Sequence, residues 1–340
     1  MWTAPTSQRD PPEATHGSTL LHGSGLVKIA VLDDYQGVAL AMADWSRLRA
    51  VADVDVFHDH VSDREQLIER LAPYEILVVM RERTPLPTDL VERLPGLRLV
   101  VTTGRRNSSI DVEALRARGV PVCHTESLPT PTAELTWALI LGLARHLVTS
   151  ATDVREGRWQ ATLGADLAGR TLGIVGLGRI GARVARVANA FEMEVLGWGR
   201  HLTGERAAAA GATAVPLDEL LRSSDIVTLH VVLSDETRGL VGSRELALMK
   251  RGALLVNTSR GPVVDTDALV AALGSGHLGG AAVDVFDAEP LPADHPLRST
   301  AGLLATPHIG YVSENSYRVF YGQVVENIEA FLAGSPIRVM

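Results

Sequence analysis

The feature that most constrains the fold of this chain is a glycine turn, Gly176-Leu177-Gly178-Arg179-Ile180-Gly181, set between an apolar run, Thr171 to Val175, and a helical run, Ala182 to Ala190. A bare GxGxxG is weak, but in a strand-turn-helix setting it points to a doubly wound α/β unit. The first glycine permits the tight turn, the second lets the backbone approach a pyrophosphate, and the third allows the helix to pack closely on the strand. The main chain from Gly176 through Arg179 and Ile180 to Gly181 then presents free amides at the helix start to an anion. The same glycines could make a turn that binds nothing; the setting favours a dinucleotide site.

The chain's 340 residues exceed what one core usually serves, and 46% apolar composition can fill two, so two domains are expected. Five short apolar runs come first: Val27 to Leu32, Val54 to Phe57, Ile76 to Met80, Leu97 to Thr102 and Val120 to Cys123. Six follow the glycine turn's strand pattern: Thr171 to Val175, Glu194 to Trp198, Ile226 to Val231, Ala253 to Asn257, Gly280 to Val285 and Leu303 to Thr306. Alternation with amphipathic stretches predicts two doubly wound parallel-sheet domains of α/β class, the C-terminal one Rossmann-type, with a cleft between them. Pro129 and Pro131 open a predicted helix, Thr132 to Thr149, apolar on more than one face and so expected to lie between domains or subunits. A second helix is predicted from Ser313 to Ala333 by the spacing of Tyr317, Phe320, Val324, Ile328 and Phe331; with no sheet of its own, it is expected to return to the first domain.

Net charge is −8, without a basic block or stripe, which argues against nucleic acid as a partner. No apolar stretch approaches the roughly 20 residues that span a bilayer, so no membrane partner is expected. Cys123 is the only cysteine and cannot form an intramolecular disulfide, in keeping with a reducing cytoplasm; it reads as a small buried residue rather than a nucleophile. Residues 1–25 are rich in Pro, Ser, Thr, His and Gly and lack a signal-peptide pattern, which predicts a disordered leader. No His, Cys or carboxylate cluster has ligand spacing, and no metal is expected.

Three polar segments close apolar runs where strand ends should face a ligand: Asn257 to Pro262, Asp284 to Pro290, and Thr306 to Gly310. They carry Arg260, Glu289 and His308. Singly, each has a plain explanation: a surface ion pair, a solvated carboxylate, a satisfied histidine. Together they meet the needs of 2-keto acid reduction, which requires a fixed cation for the carboxylate and carbonyl and a proton donor titrating near neutrality. A carboxylate beside the imidazole would favour its protonated form and fix its tautomer, and Glu289 is the candidate.

On these motifs the sequence resembles the D-isomer-specific 2-hydroxyacid dehydrogenase family from about Val27 to the C-terminus. The resemblance implies Arg260 as the substrate-binding cation, His308 as general acid/base, Glu289 as its partner, and Asp284 near the nicotinamide carboxamide, with Thr258 also on the cofactor side. It implies a substrate domain of residues 26–128 plus 311–340, a dinucleotide domain of residues 129–310, and a homodimer built around the Thr132 helix. The loop expected to cradle a small 2-keto or 2-hydroxy acid is Thr103-Gly104-Arg105-Arg106, with Arg106 where the family usually has glycine. Arg105 and Arg106 could read a second acidic group or face water. Tyr311 and Val232 also depart from the family pattern, at positions that bear on substrate size and shape.

The cofactor is expected to be NADP or NAD, with NADP favoured. About 20 residues after a glycine turn an NAD-preferring domain usually presents a carboxylate to the ribose. Here Gly199 stands at that position and Arg200 follows, where a 2′-phosphate could be paired. The alternative to an enzyme is an NAD(H)-sensing, corepressor-like binding protein on the same fold.

Overall fold

Every apolar run above becomes a strand in one of two parallel sheets. The computed structural model describes residues 26–340, so the leader expected over residues 1–25 lies outside the described residues. The first sheet comprises β1 (Val27–Val31), β2 (Ala52–Val56), β3 (Ile76–Val79), β4 (Leu99–Thr102) and β5 (Val122–His124), in the spatial order β2-β1-β3-β4-β5. The second comprises β6 (Thr171–Val175), β7 (Glu194–Trp198), β8 (Thr213–Ala214), β9 (Ile226–Leu229), β10 (Leu254–Asn257), β11 (Gly280–Val283) and β12 (Leu303–Ala305). Its order is β12-β11-β10-β9-β6-β7-β8. Both are doubly wound α/β sheets, the second in the Rossmann order, and each has a switch point where the winding reverses: between β1 and β3, and between β6 and β9. Ligands of such sheets bind beyond the carboxyl ends of strands at the switch point, so the topology selects the polar turns that matter.

The β1, β3 and β4 strands are apolar on both faces because helices cover both. Ile29, Val31, Ile76, Val78, Leu99 and Val101 face one core, while Ala30, Leu77, Val79 and Val100 face another. Closing the first of these cores is the C-terminal helix, Glu314–Leu332, capped at its start by Ser313, whose hydroxyl accepts from the Ser316 amide. It inserts Tyr317, Phe320, Tyr321, Val324 and Ile328 against the first sheet, although it follows the second in sequence. Truncating a buried aromatic such as Phe320 to alanine typically costs about 3–5 kcal/mol.

The long helix differs from its expected span. It runs Thr130–Ala144 and stops; a separate helix, Leu147–Arg155, follows. His146 between them is left-handed, with φ 48°. The carbonyl of Ala144 accepts from the amide of Ala165 at 2.7 Å, so the returning chain takes a bond the helix would have used. Apolar periodicity does not mark so short a break, two residues long. The first of the two helices packs into the core of the second sheet through Trp137, Leu139 and Ile140. The short edge strand β8 also went unread, since two residues, Thr213 and Ala214, leave no apolar signature. Among the described residues no helix is long and apolar enough to cross a membrane.

Candidate active site

At the second switch point the glycine turn has the geometry its spacing calls for. Gly176 has φ +101°, and a Cβ there would lie 2.7 Å from the carbonyl carbon of His230, just after β9. A Cβ on Gly181 would strike the carbonyl oxygen of Gly176, so only glycine lets the helix Gly181–Ala190 start against the turn. At Gly178 nothing lies within 4 Å of the same position, and Gly178 and Arg179 are exposed. Open backbone at a helix start, walled by two glycines that cannot be replaced, fits a dinucleotide pyrophosphate.

The three catalytic candidates lie in the turns beyond β10, β11 and β12, and two of them, Glu289 and His308, are paired. Nδ1 of His308 lies 2.5 Å from Oε2 of Glu289, whose other oxygen accepts from the Phe286 amide at 2.9 Å. Burial pushes the Glu289 carboxyl up, but the hydrogen bond and charge of His308, the Phe286 amide and Arg83 together bring it below the usual value. His308 is left-handed, φ 52°, a conformation that costs a non-glycine residue energy and concentrates at working sites. Asp284 holds it there. One oxygen accepts from the Thr306 hydroxyl at 2.6 Å and the Ile309 amide at 2.8 Å, and the other from the Gly310 amide at 2.7 Å. Burial nonetheless raises the Asp284 carboxyl above its ordinary value.

Arg260 sits in the turn after β10. Its Nη1 donates to the Ser259 carbonyl at 2.7 Å and its Nη2 to Oε1 of Glu82 at 2.8 Å. Asn257 braces this turn, donating to the Arg260 carbonyl and accepting from the amide and hydroxyl of Ser259. Gly261 is pressed against the main chain of Phe286 and Asp287, which joins the Arg260 turn to the segment bearing Glu289. The Thr258 hydroxyl lies 2.9 Å from that of Thr136, in the helix linking the two units.

The expected substrate loop, Thr103 to Arg106, directly follows β4. Thr103 is buried and its hydroxyl accepts from the Arg81 amide at 3.1 Å, while the Gly104 amide donates to the Thr125 hydroxyl at 2.8 Å. Arg105 forms a two-point ion pair with Glu126 on the exposed rim, and Arg106 is exposed. Among the described residues, no backbone bond engages the amides of Arg105 and Arg106, which follow Gly104 at φ +86° and can form an anion-binding nest. On the cofactor side, Arg200 pairs with Glu236, and no Cβ contact crowds Gly199 closer than 3.5 Å.

Residues 137–310 match the family described as "D-isomer specific 2-hydroxyacid dehydrogenase, NAD binding domain". The chain belongs to this family. The dehydrogenase is 41% identical to a glyoxylate reductase of Aeropyrum pernix over 77% of its own length and 84% of that protein's. It is 32% identical to a hydroxypyruvate reductase of Blautia hydrogenotrophica, over 92% and 99% of the two chains. A phosphoglycerate oxidoreductase structure from Vibrio cholerae superposes with TM-score 0.86 at 40% identity, covering 91% of the dehydrogenase and all of that chain. The dehydrogenase is thus a nicotinamide-dependent oxidoreductase of the 2-hydroxyacid class, and relatives named as reductases do not favour the binding-protein alternative.

Sequence reasoning missed a second set of polar residues, Arg81-Glu82-Arg83, at the carboxyl end of β3 and hence at the first switch point. In the dehydrogenase Glu82 reaches Arg260, and Arg83 donates to the Tyr311 hydroxyl at 2.6 Å and the His308 carbonyl at 3.3 Å. Burial pushes the Tyr311 hydroxyl up to about 12 against the lowering pull of Arg83 and Arg81, so it stays protonated; its ring stands edge-on to His308 at 5.5 Å. Burial would raise the Glu82 carboxyl, but Arg260 and Arg81 hold it below its usual value. The strand-end rule applied to the second sheet would have found this triplet in the first.

Proposed function

We propose that the dehydrogenase reduces small 2-keto acids to D-2-hydroxy acids, with NADP(H) preferred over NAD(H). The observation that carries this reading is the Glu289–His308 pair, with the Arg260 turn packed against the segment that bears Glu289. The relatives named for glyoxylate and hydroxypyruvate support a short substrate.

Arg260 binds the substrate carboxylate and polarises the carbonyl through a planar fork that an ammonium cannot copy. The Arg105 and Arg106 amides complete the carboxylate cradle. Glu289 occupies Nδ1 of His308, which directs Nε2 to the substrate oxygen and stabilises the imidazolium that donates the proton. A nicotinamide bound at this site would supply the hydride. Gly176, Gly178, Arg179, Ile180 and Gly181 hold the pyrophosphate, with Thr258 and Asp284 on the nicotinamide side, where Asp284 acts mainly by fixing the His308 loop. Arg200, paired with Glu236, would turn to a 2′-phosphate, and with Gly199 no carboxylate at that position would oppose it.

Residues 26–128 with 311–340 serve as the substrate domain and 129–310 as the dinucleotide domain. Exposed Leu147, Val148, Val154, Trp159 and Leu163, just beyond the linking helix, support a homodimer through that region. A lone buried cysteine, its thiol pushed up to about 11 by burial, suits a cytoplasmic protein.

The test is a panel of 2-keto acids with NADPH or NADH, followed at the nicotinamide absorbance, with chiral analysis of the product. Turnover is expected with a two- or three-carbon substrate, and the three-carbon substrate should give the D-2-hydroxy acid. An L product, or no turnover across the panel, overturns the reading.

A further inference from the structure

We propose that Glu82 is a positioning residue, which sets the guanidinium plane of Arg260 from across the cleft. The inference rests on the reading of Arg260 as the substrate-binding cation. Arg260 belongs to the unit built on the second sheet, and its own turn supplies one restraint, the Ser259 carbonyl on Nη1. Rotation of a guanidinium held at one nitrogen remains open. The second restraint, on Nη2, comes from Oε1 of Glu82 in the unit built on the first sheet. With both terminal nitrogens tethered on one side, the plane is fixed, and the remaining N–H groups stay free for a carboxylate and a carbonyl oxygen.

Glu82 is suited to hold a partner in place because the turn that carries it is pinned on both sides of it. The Arg81 amide donates to the Thr103 hydroxyl at 3.1 Å, the Arg81 carbonyl accepts from the Asn107 side chain, and the Thr84 hydroxyl donates to buried Asp33 at 2.7 Å. Its bond to Arg260 is also its one side-chain hydrogen bond among the described residues. The other oxygen, Oε2, is buried without a hydrogen-bond partner, 3.8 Å from the equally unpartnered Nε of Arg81. A carboxylate kept in a half-closed pocket for a single bond points to the group at the end of that bond. The next residue, Arg83, grips the His308 carbonyl and the Tyr311 hydroxyl, so adjacent residues of one turn reach the substrate cation and the proton donor on the other side. The two catalytic side chains therefore take their working orientation when the turn after β3 meets the turns after β10 and β12.

Reach and charge can be separated by substitution. Glu82→Gln keeps the reach and an acceptor oxygen, whereas Glu82→Asp keeps the charge and withdraws it by one methylene. With the full-length enzyme and NADPH, Glu82→Ala and Glu82→Asp should each lower kcat/KM for the best keto acid about 10- to 100-fold, as a misplaced catalytic group does. Glu82→Gln should lose less than about tenfold, and the cofactor Kd should stay within about twofold in all three. In an Arg260→Ala background, Glu82→Ala should add less than about a twofold loss, because a residue acting through Arg260 has nothing left to position.

Losses that multiply in the double variant, or an Asp variant that outperforms Gln, would overturn the proposal. Affinity for oxamate, an unreactive 2-keto acid analogue, in the presence of NADPH gives a readout without turnover: Glu82→Asp should weaken it and Glu82→Gln should largely retain it. Equal oxamate affinity in wild type and the Asp variant would refute the positioning role, whereas absence of keto-acid turnover by the wild type would refute the substrate assignment alone.

Discussion

Gly261→Ala tests whether the contact between the Arg260 turn and the Glu289 segment sets the geometry of the site. A methyl group built on Gly261 would lie 2.6 Å from the amide nitrogen of Asp287, with the Phe286 carbonyl closer still. Non-bonded heavy atoms sit at about 3.5 Å or more, so the main chain must retreat by at least about 0.9 Å. Both partners are backbone, so no side chain can rotate out of the way. The retreat separates Arg260 from Glu289 and its partner His308, which lie on either side of the contact. Displacements of about 1 Å cost on the order of 100-fold in rate. Overpacking at such a site destabilises by about 1–3 kcal/mol, and each kcal/mol lowers Tm by about 2–4 °C in a domain of this size. Steady-state kinetics below the Tm, together with thermal unfolding followed by circular dichroism, should show kcat reduced about 100-fold, a Tm lowered by several degrees and a cofactor Kd close to wild type. An alanine variant with wild-type kcat would show that the apposition of the two segments does not set the catalytic geometry.

Arg260→Lys keeps the charge but not the planar fork, and should lower kcat/KM about 10²-fold or more; a lysine variant equal to wild type would remove the two-point role. The Glu289 carboxyl is held below its ordinary value in the folded protein, so its stabilisation is complete above the unfolded pKa of about 4.3 and lost as pH falls through the lower folded value. Glu289→Gln should therefore be less stable than wild type by about 1 kcal/mol in urea at pH 7, with the gap narrowing below pH 4; a gap independent of pH would mean the carboxylate is not the stabilising species. The Gly199→Asp, Arg200→Ala double variant should move the ratio of kcat/KM for NADPH and NADH toward NADH. An unchanged ratio would place cofactor choice elsewhere.

The strands and the glycine turn were legible because each leaves a local pattern: apolar runs of four or five residues, and glycines at fixed spacing. The placement of Arg260, Glu289 and His308 on strand-end turns followed from one rule, applied to one sheet. What stayed hidden depends on contacts remote in sequence. Glu82 lies 178 positions from Arg260, and nothing around it marks which cation it reaches. Thr103 belongs to a loop expected to face substrate, yet its hydroxyl turns inward to the Arg81 amide because the turn after β3 needs an acceptor there. The sequence also carries no mark that Asp284 anchors the left-handed His308 loop, where three donors of the Thr306–Gly310 segment converge on its carboxylate. Helix ends were the least legible, as at His146, where a left-handed residue divides a helical pattern that resumes at Leu147.

The central claim is that His308, oriented by Glu289, delivers the proton in reduction of a 2-keto acid. The most direct measurement is kcat of His308→Ala against wild type, with the best keto acid and saturating NADPH, alongside the NADPH Kd by fluorescence. The account predicts a loss of about 10²- to 10⁴-fold in kcat with the Kd little changed. Turnover near the wild-type rate in that variant would contradict it.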